Sequence, residues 1–197
     1  MNQFAAREID PGENARIIKS AVTPRPIAWI STVDGNGTEN LAPFSSYNYV
    51  GSSQPVVVFN SPSEASGRMK DTARNALETE EFAVNVVTEA LIEEMDRTSA
   101  SVPPEESEFD LAGLRRAECR EITPPRVADA VITMECTLYD AIEVYEKLMI
   151  LGDVQYYHVS DEVLTDGRID SRKVDTVGRL GGPYYTVSDP HEFERQF

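Results

Sequence analysis

A chain of 197 residues with 41% hydrophobic content is long enough for one well-formed core, and nothing in it demands a second domain. Its 34 acidic against 18 basic residues leave a formal charge of −16, which repels nucleic acid and anionic membranes at ordinary salt and sets both aside as partners. Only 4 of the 18 basic residues are Lys, a balance that suits a salt-rich interior and equally an ordinary acidic cytosolic protein.

Residues 1–22 start polar, without the apolar run of a signal peptide, so a cytoplasmic protein is expected. They hold one short helix, Gly12 to Ser20, with Ala15 and Ile18 on one side. The stretch TPRPIAWISTVDGNGTENLAPFSSYN, residues 23–48, reads as a hairpin: a strand Pro26–Val33, a polar turn Asp34–Gly37, and a strand Glu39–Pro43. Both faces of the first strand are apolar, which suits a barrel wall. Residues 40–63 carry no charge, but Pro43, Pro55, Pro62 and the interspersed Ser and Asn rule out a membrane span. Tyr47–Ser53 reads as a loop or helical turn and Val56–Asn60 as a strand. Within Ser61–Leu77 the spacing of Met69, Ala73, Ala76 and Leu77 predicts a helix, capped either by Ser66 or by Asp71.

Glu81–Val87 is a strand with two apolar faces, and Glu89–Thr98 a helix with Leu91, Ile92 and Met95 inward. Ser99–Arg126 is a long loop with at most a turn of helix, of a length that often covers a site. Ala130–Val144 and Lys147–Val159 face each other across Tyr145-Glu146 as an antiparallel pair, Glu162–Ile169 adds a short strand, and order ends near Tyr185. The resulting fold class is mainly β (α+β), in a single domain over residues 1–197.

Linear spacing offers no nucleotide loop, no nucleophile elbow and no Cys/His pair with an orienting acid. Cys119 and Cys136, His158 and His191 suggest neither a disulfide framework nor a metal cluster. Cys136, in an alternating run, reads as a buried small hydrophobe, and His158, in a strand, as structural. One anion site stands out. If a helix starts at Thr72, its first amides, the Thr72 hydroxyl and Lys70 together suit a phosphate, although a plain capped surface helix has the same composition. Ser45, Ser46, Asn40 and Asn75 are further polar groups that serve equally well as loop or core residues.

Four segments change the weighting: TPRPIAWIST at 23–32, NLAPFSSYN at 40–48, KDTARNALETEEFAVN at 70–85 and RLGGPYY at 179–185. In this order they resemble the flavin reductase-like, FMN-binding split-barrel family. Weaker echoes are SEFDLAGL at 107–114 and LGDVQYYHV and DGRID between 151 and 170. Gln54-Pro55 departs from the Pro-Pro of many relatives.

The resemblance implies a six-stranded Greek-key FMN-binding split barrel with a few peripheral helices, forming a homodimer with FMN near the interface. It implies that Arg25 and Pro26 border the flavin, and that Asn40, Ala42, Ser45 and Ser46 meet its ring and ribityl chain. Lys70, Thr72 and Asn75 match the phosphate-side motif, and Arg179 opens a C-terminal motif close to the ring. The implied activity is an NAD(P)H-dependent flavin reductase, using NADH or NADPH and passing electrons to a monooxygenase or another acceptor. The same resemblance admits an FMN electron-transfer protein of flavoredoxin type, or a partner-binding barrel that has lost flavin.

Overall fold

Strand formation begins where the sequence is most apolar. Strand β1 (Arg25–Pro26) and strand β2 (Ala28–Val33) divide the expected first strand at Ile27, and all six residues of β2 are buried. The computed structural model describes residues 1–67, 69–103 and 105–194. Asp34 builds the turn: its Oδ1 accepts from the amides of Asn36 at 2.8 Å and Thr38 at 2.7 Å, and Gly37 takes a φ of 90°. Strand β3 (Glu39–Phe44) then returns antiparallel to β2.

The loop expected at Tyr47–Ser53 is instead strand β4 (Tyr47–Gly51). The reason is tertiary: strand β5 (Val56–Pro62) offers it a partner, pairing Phe59 with Tyr47 and Val58 with Asn48. Strand β6 is Glu81–Val86; β7 (Arg116–Ala117) and β8 (Arg126–Val127) form a short ladder inside the long excursion. The two long runs are β9 (Ile132–Val144) and β10 (Lys147–Val159), antiparallel as expected. Leu164–Thr165 (β11) and Arg168–Ile169 (β12) make a small hairpin. Strands β13 (Val177–Arg179) and β14 (Tyr185–Val187) join β1 in a three-stranded sheet, so order runs past Tyr185, while residues 195–197 of the expected tail lie outside the described residues.

The main sheet has seven strands in the order β3-β2-β6-β9-β10-β5-β4. It curls until its two sides meet: the Phe44 ring on β3 lies 5.0 Å from that of Phe59 on β5, although these strands do not pair. Ala28, Ile30, Phe44, Phe59, Phe82, Cys136 and Ile150 share one core drawn from β2, β3, β5, β6, β9 and β10. The class is the expected split barrel, but its sheet has seven strands where six were expected, because β4 pairs onto the edge of β5. Close packing is strictest at Gly152, where a Cβ would stand 2.2 Å from the Phe82 ring.

Helix α1 (Pro11–Ala21) buries none of its residues. Helix α2 (Asp71–Glu78) closes the barrel, inserting Ala73 and Ala76 into the core. The segment after β6 crosses the outer face of β2 and β3. There a 3₁₀ turn, α3 (Ile92–Arg97) and α4 (Glu108–Ala112) bury Trp29, Leu41, Met95 and Phe109 in a second core. Asn85 pins this excursion: it donates to Trp29 O at 3.0 Å and accepts from the Val127 amide at 2.9 Å.

Candidate functional site

Lys70 occupies the N-cap of α2 and makes no side-chain bond to the first turn. An ammonium has no acceptor to offer there, where Ser, Thr, Asp or Asn is usual. Neither expected cap holds, because Asp71 is already helical and the Ser66 hydroxyl donates instead to Ser63 O at 2.6 Å. Arg74 is tied to Asp71 at 2.5 Å, whereas Lys70 makes no ion pair among the described residues. The positive end of the helix dipole thus carries an unneutralised cation, an arrangement that favours an anion.

Thr72, by contrast, turns inward and is 1% exposed. Its hydroxyl accepts from Asn40 Nδ2 at 2.8 Å; Asn40 Nδ2 also reaches Thr32 Oγ1 at 3.3 Å, and Asn75 Nδ2 reaches the same oxygen at 3.2 Å. The structure therefore brings Asn40, Thr72 and Asn75 together, but as partners of one another in a buried seam between α2, β2 and β3. Ala42 is part of the barrel core, which leaves only its backbone to face a ligand.

Ser45 and Ser46 form the bend between β3 and β4. Ser46 O accepts from Asn60 N at 2.9 Å and Asn60 Nδ2 at 3.2 Å, so the bend is seated on the end of β5. Next along the chain lie Ser61 and Ser63, both buried, with hydroxyls that meet no partner among the described residues. A buried hydroxyl left unpaired costs about 1–3 kcal/mol. These two serines escape a sequence reading, although Ser61 continues the inward alternation of Val57 and Phe59, where a core position predicts an apolar residue.

Arg25 pairs in register with Arg179 across β1 and β13. Both guanidinium groups are spent on the protein. Arg25 donates to Val22 O and Leu180 O at 3.0 Å each, fastening α1 to the C-terminal motif. Arg179 donates to Gly182 O at 2.9 Å and to the Tyr185 hydroxyl, and stacks 4.4 Å over the Tyr185 ring. Burial, then the charge of Arg179, lowers the Arg25 pKa from its usual range. The two arginines hold the frame beside a groove of about 530 Å³ lined by Pro24, Pro26, Ile27, Tyr47, Val86, Val87 and Val177. Burial pushes the phenol of Tyr47 up, so it stays neutral.

A second cleft, of about 280 Å³, opens beside Asn40 and Asn75. Among the described residues, Asp34, Glu39, Asp71, Glu78, Glu106 and Glu108 line it against a single Arg74, so its field is wrong for a phosphate. Glu108 has a structural task there: its Oε2 accepts from the Leu41 amide at 2.9 Å, covering the open edge of β3. Pro43, two residues on, has no amide to cover. Burial raises the Glu108 pKa, and the Leu41 amide offsets part of that rise.

The arrangement has counterparts in known proteins. The described family "Flavin reductase like domain" matches residues 20–175. An uncharacterized protein of Aquifex aeolicus is 36% identical over 93% of this chain and 94% of its own. The crystal structure of nitrilotriacetate monooxygenase component B from Bacillus cereus superposes with a TM-score of 0.93 at 32% identity, covering 99% of this chain and 98% of that one. The 2-nitrobenzoate 2-nitroreductase of Pseudomonas fluorescens superposes with a TM-score of 0.89 at 28% identity, covering 100% and 98%. No described helix is long and apolar enough to cross a membrane. With its barrel, its split and its match over residues 20–175, the chain belongs to the flavin reductase-like family.

Proposed function

We propose that the chain binds FMN and works as an NAD(P)H:flavin oxidoreductase. The observation that carries this reading is Lys70 at the N-cap of α2, a cation on a helix start without a side-chain cap. The donor set fits the cofactor. Lys70 and the first turn of α2 would hold the phosphate, and the orphan hydroxyls of Ser61 and Ser63 would give it further donors. Ser45 and Ser46, joined to β5 through Asn60, would meet the ribityl chain, and the apolar groove between Pro26 and Tyr47 would take the flat ring.

Bound flavin would supply the redox chemistry, accepting hydride from NADH or NADPH at N5. The chain contributes orientation and field. Thr72, Asn40 and Asn75 fix α2 on the barrel, which holds the first turn of the helix in place. Arg25 and Arg179 keep β1 against β13, which holds the groove open. Hydride transfer between nicotinamide and flavin needs no side chain as acid or base. Exposed Tyr49 and Val50 on β4, with Tyr139 and Tyr145 on the β9–β10 hairpin, support a homodimer contact near the flavin. A monooxygenase component as electron acceptor is supported by the likeness to component B of the nitrilotriacetate system.

The test is spectroscopic. Purified protein with FMN should show a shifted flavin spectrum, and anaerobic NADH or NADPH should bleach it. Lys70→Ala should weaken FMN uptake by about 10- to 150-fold, the loss of one charge-assisted bond. Protein that leaves the flavin spectrum unmoved would refute the reading. Flavin bound yet bleached by neither nucleotide would reduce it to electron transfer.

A further inference from the structure

On the outer face of the barrel, away from the groove, three side chains converge from three segments. Glu135 lies on β9, His158 on β10, and Cys119 on the loop that follows β7. Their ligand-type atoms all lie within 4.8 Å of one another. Linear spacing could not show this, since antiparallel pairing and the excursion's return create the meeting. Glu135 is fully buried, and its carboxylate accepts from the amides of Arg120 at 2.7 Å and Glu121 at 2.6 Å. His158 Nε2 stands 2.5 Å from its Oε1. The loop bearing Cys119 is therefore fastened to the carboxylate itself, which fixes where the sulfur can go.

A Cys/His nucleophile does not fit. Burial, then the neighbouring Glu135 charge, pushes the Cys119 thiol up to about 12, and His158 is engaged by Glu135. The donor set fits a cation better. Thiol, imidazole and carboxylate are the ligands of zinc-like ions, which bind them at about 2.0–2.3 Å and complete a three-ligand site with water. At those bond lengths tetrahedral ligand atoms stand roughly 3.3–3.8 Å apart, so on metal uptake the His158–Glu135 contact at 2.5 Å opens and the imidazole exchanges that hydrogen bond for the ion.

We propose that Cys119, Glu135 and His158 bind one divalent cation of the zinc class, tying the 118–125 loop to the barrel wall. On uptake the Cys119 thiol releases its proton to solvent and the imidazole binds through a nitrogen lone pair, so thiolate and carboxylate balance the two charges of the ion. The site shares no residue with the flavin site, and either can fail alone.

The experiment uses the full chain, stripped with a chelator and titrated with Co²⁺. One Co²⁺ per chain is expected, with a thiolate-to-cobalt charge-transfer band that Zn²⁺ abolishes. Cys119→Ser should lose the band and His158→Gln should weaken Co²⁺ binding at least about tenfold, while FMN uptake by both variants is unchanged. Cys136 is fully buried on the inner face and cannot supply the band. A wild-type titration without the band overturns the proposal, as does a band that persists in Cys119→Ser. If Cys119→Ser does not fold, the His158→Gln affinity decides, and an unchanged value overturns it.

Discussion

Thr72 and Lys70 are neighbours with opposite tasks. Lys70 faces solvent at a helix start, while Thr72 spends its hydroxyl on Asn40 inside the protein. Thr72→Val should therefore cost stability before anything else: it leaves a buried carboxamide short of a partner, worth about 1–3 kcal/mol in a denaturant melt, and Thr72→Ser should restore it. Lys70→Ala should leave the same melt unchanged. Glu108 allows a pH experiment. Its carboxyl is raised above the ordinary 4.5 by burial, so the folded chain holds its proton more tightly than the unfolded chain. Stability from this group is then greatest below 4.5 and is lost as pH climbs from there through the raised value. Glu108→Gln keeps an acceptor for the Leu41 amide and removes the ionisation. Melting temperatures across that window should fall for the wild type and stay flatter for the variant; parallel curves would show that Glu108 does not govern the slope.

Elements were legible where local pattern and tertiary demand agree. The β2–β3 hairpin follows from apolar faces and the Asp34 turn, and the β9–β10 pair from two long β-branched runs. Strand β4 was not legible, because Tyr47–Gly51 has a strand's conformation only while β5 pairs with it. The start of α2 was misread for a related reason: cap preferences point to Ser66 or Asp71, and the structure places a cation there instead. Strand packing also yields a prediction. Gly152→Ala would drive a methyl into the Phe82 ring and to 3.1 Å from Cys136 Cβ, and should cost about 1–3 kcal/mol in a thermal or denaturant melt.

At the scale of the whole molecule the governing quantity is a net charge of −16 on a protein proposed to bind an anion. Long-range repulsion opposes FMN, and salt shortens its reach from about 10 Å at 0.1 M to about 3 Å at 1 M. FMN affinity should thus rise severalfold over that range, read by flavin fluorescence; a steady fall would mean that the Lys70 contact outweighs the global field. The sequence by itself determined the barrel class, the β2–β3 hairpin and the long segment after β6, because periodicity, turn chemistry and family motifs are local and survive without coordinates. Only the tertiary structure decided that Asn40, Thr72 and Asn75 clasp one another, that Arg25 and Arg179 serve the frame, and that Cys119, Glu135 and His158 meet. Each depends on which strands become neighbours, and a linear pattern carries no distance between residues far apart in the chain.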